Sequence, residues 1–287
     1  WDVVAFDEFA GKQKRVDKAL VDILKNYLAN KSFSRGVETL GAEASMAFIG
    51  NTKHNVPYML KHSDFFEELP DKYYDSAFID RLHAFLPGWE VDIIRGEMFS
   101  SGFGFVVDYI AEILRHLRNQ DYSDRYKPFF SLSEDIATRD RDAINKTFSG
   151  LMKVLFPNGE QTKDEIMEIL SFSIECRKRV KDQLLRMDST FNEVDFSFLD
   201  LDGNKSAVTT LEELEFPAFY KHGPSSDASS QSSNVEEPSP SHPATVNEFD
   251  NQQAQTANSG PTEDHITISE NQRGISFDDL FGKFFIN

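Results

Sequence analysis

Trp1-Asp2-Val3-Val4-Ala5-Phe6-Asp7-Glu8 is the stretch that decides the predicted fold class. The apolar residues from Val3 to Phe6 run without alternation and stop at two adjacent acids. An apolar run of this kind is typical of a strand covered on both faces, as in a parallel sheet. Open α/β sheets bind their ligands beyond the carboxyl ends of their strands. The sequence therefore predicts an α/β fold with Asp7 and Glu8 at the ligand-binding edge.

The two acids also fit a specific chemistry. In P-loop ATPases this position holds the Walker-B pair, in which Asp orients the magnesium of ATP and Glu positions or deprotonates the attacking water. A buried strand that ends in a solvated turn is the alternative. The phosphate-binding pattern G-x-x-x-x-G-K-[ST] does not occur in the 287 residues. The sequence also begins without Met, directly at a core strand, so we expect a fragment of a longer protein.

Composition limits the class of protein. The chain is long enough for one or two domains with a sizeable core. With 30 basic and 48 acidic residues the net charge is -18, which opposes nucleic-acid binding except at a local basic surface inside a ring or groove. Cys176 is the single cysteine, so no intramolecular disulfide can form and a reducing compartment fits best. The sequence shows neither a signal peptide nor an apolar run of roughly 20 residues, which predicts a soluble, cytoplasmic protein without membrane contact.

Apolar spacing predicts the remaining elements. The predicted helices cover 15–28, 63–69, 72–79, 105–117, 141–155 and 163–187, and the predicted strands cover 45–49 and 82–86. Gly36 and Gly41 indicate a hairpin between the first helix and the second strand. Near the end of the last helix, Arg177, Lys178, Arg179 and Lys181 are interpreted as a solvated basic face that is favoured by the helix dipole.

The composition changes after residue 222. Ser, Pro, Asn, Gln and Glu dominate residues 223–274, which predicts a disordered linker. Apolar patterning resumes at Ile275, and residues 275–287 are interpreted as the truncated start of a further domain.

Three further positions make the chain similar to AAA+ ATPases. Asn51 ends the strand that follows the acidic one, where these proteins carry the sensor-1 polar residue. Arg81 lies where they place an arginine finger, and Arg139 and Arg141 begin a helix where they place sensor 2. The resemblance implies the carboxyl-terminal part of a P-loop-type AAA+ core at 1–130, without its P-loop, and a helical lid with its extension at 131–222.

A closer resemblance rests on Val4-Ala5-Phe6-Asp7-Glu8-Phe9-Ala10-Gly11, Lys31-Ser32-Phe33-Ser34-Arg35-Gly36, Ser63-Asp64, Phe66-Glu67-Glu68-Leu69-Pro70 and Gly88-Trp89-Glu90-Val91, together with 138–153 and 177–183. These stretches resemble the BrxL family of Lon-like proteins in BREX phage-defence systems. The resemblance covers roughly residues 1–191 and resumes at 277–282, whereas residues 283–287 do not continue the family pattern. It implies a multimeric, for example hexameric, AAA+ ring built like the MCM helicases that acts with DNA and other BREX proteins. The family's P-loop, amino-terminal DNA-binding region and Lon-protease-like domain are not found in the sequence.

The resemblance assigns a role to each candidate residue. Asp7 would hold Mg²⁺ through water, Glu8 would act as the base, and Asn51 would orient the water or the γ-phosphate of ATP. Arg81 would reach the ATP of the neighbouring subunit. Two further pairs complete the set: Arg139 and Arg141 as nucleotide-binding candidates, and Lys31 and Arg35 as candidates for DNA contact.

Alternatives to these assignments remain open. Arg35 could be a solvated loop residue, and Arg81 a surface arginine or a partner of Asp80. For the whole chain, the alternatives are an ATP-dependent Lon-like protease subunit and an inactive truncated remnant.

Overall fold

The computed structural model describes residues 2–35, 38–99, 101–104 and 106–220 of the chain, and within β2 it does not describe the side chain of Arg35. The described part is a mixed α/β structure. Its strands are β1 Val3–Phe6, β2 Ser32–Arg35, β3 Glu38–Gly41, β4 Ser45–Phe48, β5 Phe130–Leu132, β6 Ser197–Asp200 and β7 Lys205–Ala207. Its helices are α1 Lys18–Asn30, α2 Val56–His62, α3 Ser76–Ile79, α4 Val107–Arg118, α5 Thr138–Leu155, α6 Lys163–Met187, α7 Leu211–Glu215 and α8 Pro217–Tyr220.

β1 and β4 form the parallel pair that the apolar run predicts. Their register sets Val3 opposite Ser45 and Phe6 opposite Phe48. The expected cover on both faces is not found within the described residues, because exposure alternates along β1 and Val3 is 56% exposed. One face does pack: Phe6 and Phe48 lie against a core built from α1, α3 and α6.

The predicted long helices are confirmed, with small shifts of their ends. α6 spans the predicted 163–187, and its first turn is fixed by a capping box between Thr162 and Glu165. The predicted helix at 63–69 is wrong, because this segment forms turns, and only the end of the predicted helix at 72–79 is helical, as α3. The predicted strand at 82–86 is wrong as well. This segment makes no strand ladder in the described structure; instead the backbone N–H of Phe85 donates to the carbonyl of Cys176 at 3.1 Å. The segment therefore packs along α6, which supplies its hydrogen-bond partner in place of a neighbouring strand.

A second core lies between α5 and α6. Ile144, Phe148 and Met152 of α5 are fully buried, as are Ile166 and Leu170 of α6. An antiparallel sheet in the order β5-β6-β7 adds Phe130, Leu132 and Phe198 to the same core. The boundary between residues 130 and 131 stays a prediction, and the predicted linker and further domain at 223–287 lie outside the described residues.

The basic end of α6 is not the solvated face that the sequence predicts. Arg177 and Arg179 have no exposed side-chain surface, and Lys178 and Lys181 are each 12% exposed. Buried charges are tolerated when opposite charges and hydrogen bonds compensate their lost hydration. The compensation comes from elements distant in the chain: Asp80 and Asp140 face Arg177, and Glu90 and Glu212 face Arg179. The prediction failed because spacing along a helix does not show which acids fold onto it.

Two further observations concern the single cysteine and the helices. Cys176 is a buried free thiol, and its burial raises the pKa of the thiol. Within the described residues, no helix combines the length and the apolar character needed to cross a membrane.

Candidate active site

The carboxyl ends of β1 and β4 bring the predicted acidic pair and Asn51 to one edge. The N–H of Ile49 donates to the carbonyl of Phe6 at 2.9 Å, and the N–H of Phe9 donates to the carbonyl of Ile49 at 2.6 Å. The two segments therefore continue side by side beyond the strands. Asp7 and Glu8 leave β1 while Asn51 leaves β4, and all three are exposed.

The turn that carries the acids has a defined shape. The Asp7 carboxylate accepts a hydrogen bond from the N–H of Glu8 at 2.8 Å, and the Lys14 ammonium donates to the carbonyl of Glu8. Glu8 has φ 48°, in the left-handed region that costs a non-glycine residue roughly 1 kcal/mol. Strained backbone of this kind clusters at functional sites. Both carboxylates remain free to meet a ligand in solvent.

Gly50 makes the close approach of these segments possible. A Cβ added to Gly50 would lie 2.9 Å from the backbone nitrogen of Ala10 and 3.0 Å from its Cβ. Real Cβ atoms do not come this near to backbone, so any side chain would push the loop after the acids away from Asn51.

Aromatic rings support the edge from the core side. Phe6 stacks on Phe48 with ring centroids 5.1 Å apart, and Phe9 lies 4.8 Å from Phe48 and 4.7 Å from Tyr73. Such ring pairs add about 0.5–1.5 kcal/mol each beyond simple burial. The acidic turn thus begins and ends on residues that are held by packing.

Arg81 follows α3 and is half-buried. Its Nη1 donates to the carbonyl of Ala77, and its Nε is buried with no hydrogen-bond partner in the described part of the chain. A buried donor without a partner costs roughly 1–3 kcal/mol. The guanidinium is therefore incompletely satisfied by the residues around it.

The two sensor-2 candidates occupy different settings. Arg139 contacts Asp80, the residue before Arg81, through its Nη1 and remains 54% exposed. Arg141 donates through Nη2 to the carbonyls of Ser133 and Ile136 at 3.2 and 3.4 Å, just before α5. The structure brings Arg139 together with the Arg81 segment, while Arg141 fixes the backbone at the start of its own helix.

The predicted hairpin is present as the antiparallel pair β2–β3, with Arg35 opposite Glu38. Lys31 has φ 53° and ends α1 by donating its N–H to the carbonyl of Tyr27 at 2.8 Å, while its side chain is exposed. Gly36 and Val37 at the predicted tip, and the side chain of Arg35, lie outside the described structure.

The sequence reasoning missed a polar cluster beside this edge. His54 lies 2.7 Å from the buried Glu67, and Ser63 donates to the other oxygen of Glu67. Burial would raise the pKa of Glu67, but the hydrogen bonds from Ser63 and His54 lower it below its usual value. Ligand atoms of His54, Glu67 and Glu68 lie within 4.8 Å of one another, close enough to share a cation. The adjacent acids Glu67 and Glu68 were the only signal in the sequence, because His54 lies 13 residues from Glu67.

This cluster is tied to the acidic turn. The N–H of Gly11 donates to the carbonyl of Glu68 at 2.6 Å. An open cavity of about 550 Å³ lies alongside, with Lys12, Asp64, Glu67, Tyr74 and Arg186 in its lining. Burial raises the pKa of Asp64, although Tyr74 and the N–H of Phe66 donate to its carboxylate.

Comparisons with known proteins identify sequences that are similar to this chain. Residues 1–197 match the family described as Lon-like protease BrxL-like, ATPase domain. A curated protein named Lon-like protease BrxL, from Bacillus cereus (strain H3081.97), is 42% identical over 215 residues, which are 74% of this chain and 32% of that protein. Another of the same name, from Escherichia coli O9:H4 (strain HS), is 41% identical over 215 residues, 75% of this chain and 30% of that protein. The chain therefore spans about a third of the length of these relatives.

Proposed function

The chain belongs to the family of Lon-like protease BrxL-like ATPase domains, and from this premise we propose that it carries the hydrolytic residues of an ATP-driven AAA+ ring motor. The motor would act with DNA in a BREX-type phage-defence system. In this proposal residues 1–130 are part of the AAA+ core and the helices of 131–222 are its lid.

The observation that carries the proposal is the shared edge of β1 and β4. Asp7, Glu8 and Asn51 all leave the sheet there, and the hydrogen bond from Phe9 to Ile49 keeps their segments adjacent. Carboxylate oxygens are the ligands that Mg²⁺ accepts from proteins, and Mg²⁺ usually keeps several of its waters. The exposed Asp7 carboxylate therefore fits a water-mediated contact with the magnesium of ATP.

The neighbouring residues complete the proposed chemistry. Glu8 would take a proton from the attacking water, and Asn51 would orient that water or the γ-phosphate. These groups supply positioning and charge, which is what phosphoryl transfer requires of a protein. The transferred phosphoryl group and the leaving group, ADP, both come from the ATP that is bound with Mg²⁺.

Arginine side chains would provide the positive charge that the transition state needs. Arg81 would reach the ATP of the neighbouring subunit, and its unsatisfied Nε supports a side chain that meets a further acceptor. Of the two sensor-2 candidates, Arg139 suits a nucleotide contact better, because it is more than half exposed while Arg141 is engaged with two carbonyls.

The test measures ATP hydrolysis by the complete gene product that contains this sequence. Glu8→Gln and Arg81→Ala should each reduce turnover on the order of 10³-fold, while Glu112→Gln, an exposed position on α4, should not. Rings mixed from Glu8→Gln and Arg81→Ala subunits should recover part of the activity, because some interfaces then carry both intact groups. Unchanged turnover in either single variant would overturn the proposal, and so would the absence of recovery in mixed rings shown to assemble.

The DNA part of the proposal rests on the β2–β3 hairpin. Its position between α1 and β4 is where MCM-like helicases insert a hairpin that points into the central pore, and Lys31 and Arg35 make it locally basic. Phosphate contacts by a few such residues per subunit would bind DNA without sequence preference despite the overall negative charge.

The name of the relatives favours a second candidate, an ATP-dependent protease. ATP-stimulated cleavage of an unfolded protein by the same gene product would favour this candidate. ATPase activity with DNA stimulation and no cleavage would favour the motor.

A further inference from the structure

Arg177 of α6 is a fully buried arginine whose donors converge on one distant segment. Its Nη1 donates to the carbonyl of Leu82 at 2.5 Å, and its Nη2 donates to the carbonyl of Asp80 at 3.1 Å and to the Asp80 carboxylate at 2.9 Å. Its Nε donates to the Asp140 carboxylate of α5 at 2.7 Å. Arg177 thereby joins α5 and α6 to residues 80–82.

The two carbonyls that Arg177 holds lie on either side of Arg81. The Asp80 carbonyl belongs to the peptide group before Arg81 and the Leu82 carbonyl to the one after Leu82, while the N–H of Leu82 between them donates to the carbonyl of Ile79 at 2.9 Å. Holding these planar peptide groups restricts the backbone dihedrals of Arg81 and with them the direction of its Cα–Cβ bond. Hydrogen bonds from a charged guanidinium are about twice as strong as neutral ones, and its planar fork holds several acceptors in one rigid geometry. Full burial also excludes water that would compete for these acceptors.

The Arg81 side chain has few contacts of its own, although the backbone N–H of Arg81 donates to the carbonyl of Phe78 at 3.0 Å. Within the described residues its Nε lacks a partner, and its Nη1 contacts the carbonyl of Ala77 one turn earlier. The preceding Asp80 is held on both carboxylate oxygens, one by Arg177 and the other by Arg139. The backbone that carries the Arg81 side chain is therefore held both by the turn after α3 and by the Arg177 network.

We propose that Arg177 is a positioning residue for Arg81: it holds the backbone of 80–82 so that the Arg81 guanidinium meets the neighbouring subunit's ATP. The inference rests on the proposed function, because it assumes that Arg81 acts at a subunit interface. Arg177 itself, enclosed by α5, α6 and this segment, does not touch the nucleotide.

Arg177→Lys is the variant that tests the inference. Lys keeps the positive charge opposite Asp80 and Asp140, but its ammonium has three donors and cannot replace the four hydrogen bonds that the Arg177 guanidinium makes. A contact made only in the transition state lowers kcat and leaves KM nearly unchanged. We expect kcat for ATP to fall at least about tenfold, less than for complete removal of the finger, while KM for ATP stays within about twofold.

Arg179→Lys is the matched control. Arg179 lies on the same helix with the same burial, but its partners are Glu90, Glu175 and Glu212 and not residues 80–82. Both variants should lose similar stability, so a loss of kcat confined to Arg177→Lys separates positioning of Arg81 from general damage to α6. Assays are run well below the unfolding midpoints of both proteins.

Mixed rings give a readout that a purely structural role would not change. Arg177→Lys subunits mixed with Glu8→Gln subunits should regain activity, since the intact Arg81 of a Glu8→Gln subunit can serve the intact Glu8 of its neighbour. If Arg177→Lys does not fold, Asp140→Asn takes its place, because it removes the carboxylate that anchors Nε of Arg177 and should give a smaller defect of the same kind.

The outcomes separate this inference from the proposed function. Unchanged turnover in Arg81→Ala would overturn the finger role itself, whatever Arg177→Lys does. A full defect in Arg81→Ala with equal kcat in Arg177→Lys and Arg179→Lys would overturn only the positioning role. A defect in Arg177→Lys that mixed rings do not repair would also overturn it.

Discussion

Replacing Arg179 with Leu should be among the most destabilising single changes in the described part of the chain. Nη2 of Arg179 lies 2.6 Å from Glu90 and 2.7 Å from Glu175, and Nε lies 3.0 Å from Glu212. All four side chains are at most 3% exposed. Leu would fill part of the space but would leave three buried carboxylates without their shared cation.

The magnitude follows from the burial of this cluster. Removing one partner of a buried ion pair costs about 3–5 kcal/mol, because the remaining charge stays desolvated. For a domain of this size, each kcal/mol lowers the melting temperature by about 2–4 °C. We therefore expect Arg179→Leu to melt roughly 6–20 °C below the parent protein at pH 7.5.

The loss of stability in Arg179→Leu should depend on pH. Burial raises the pKa of both Glu90 and Glu175 from their usual 4.5 to about 7, even with Arg179 beside them. A carboxyl whose pKa is raised in the folded state binds a proton there more readily than in the unfolded chain. Its contribution to stability is therefore complete below pH 4.5 and is lost as pH rises towards and through 7. Without Arg179 the pKa values of Glu90 and Glu175 rise further. The difference in unfolding free energy between Arg179→Leu and the parent protein should therefore widen from pH 5 to pH 8.

Thermal unfolding followed by circular dichroism at pH 5, 6.5 and 8 measures both effects. Arg115→Ala serves as the control, because Arg115 is 69% exposed and 3.7 Å from its partner Glu112, a pairing worth about 0–1 kcal/mol. A loss below about 1 kcal/mol in Arg179→Leu would refute the reasoning. An equal loss of stability in Arg179→Leu at all three pH values would refute the argument from the raised pKa values of Glu90 and Glu175.

Two further predictions concern the proposed site. Gly50→Ala should lower ATP turnover by at least about tenfold with little loss of overall fold, because its Cβ would meet the backbone nitrogen of Ala10 at 2.9 Å and displace the loop that carries the proposed catalytic acids. Shifts near 1 Å in such a loop cost about 10²-fold in rate. Gly41→Ala, where a Cβ meets nothing within 4 Å, is the control, and equal turnover in the two variants would contradict the argument. Arg35→Ala should weaken DNA binding across all sequences and flatten its salt dependence by about one charge per subunit engaged, as read from affinities in a salt titration. An unchanged slope, matching that of Arg115→Ala, would leave Arg35 a solvated loop residue.

Much of the local structure could be predicted from the sequence. The apolar run 3–6 identified β1 and its parallel pairing, since an unalternated run ending in acids favours that geometry. The apolar spacing of 163–187 placed α6 at both ends. The edge at Asp7, Glu8 and Asn51 was also predictable, because parallel strands present their carboxyl ends on the same side of a sheet.

The predictions failed where a partner lies far away in the chain. Residues 82–86 were predicted to pair with a strand, yet Phe85 donates to a carbonyl of α6, and nothing within the segment indicates this. The choice between Arg139 and Arg141 was likewise left open by the sequence, because both begin the same helix. In the folded chain Arg139 contacts Asp80, whereas Arg141 donates to the carbonyls of Ser133 and Ile136. These different surroundings exist only once the chain is folded.

The sequence by itself determined the four longest helices, the first parallel strands and the order of the acidic and polar residues along them. Those features depend on hydrogen bonds and apolar spacing within a few residues. Only the tertiary structure decided that Arg177 and Arg179 are buried, because their acidic partners Asp80 and Glu212 lie 97 and 33 residues away. Burying a charge is unfavourable until an opposite charge is brought to it, and bringing those charges together is what the folded chain does.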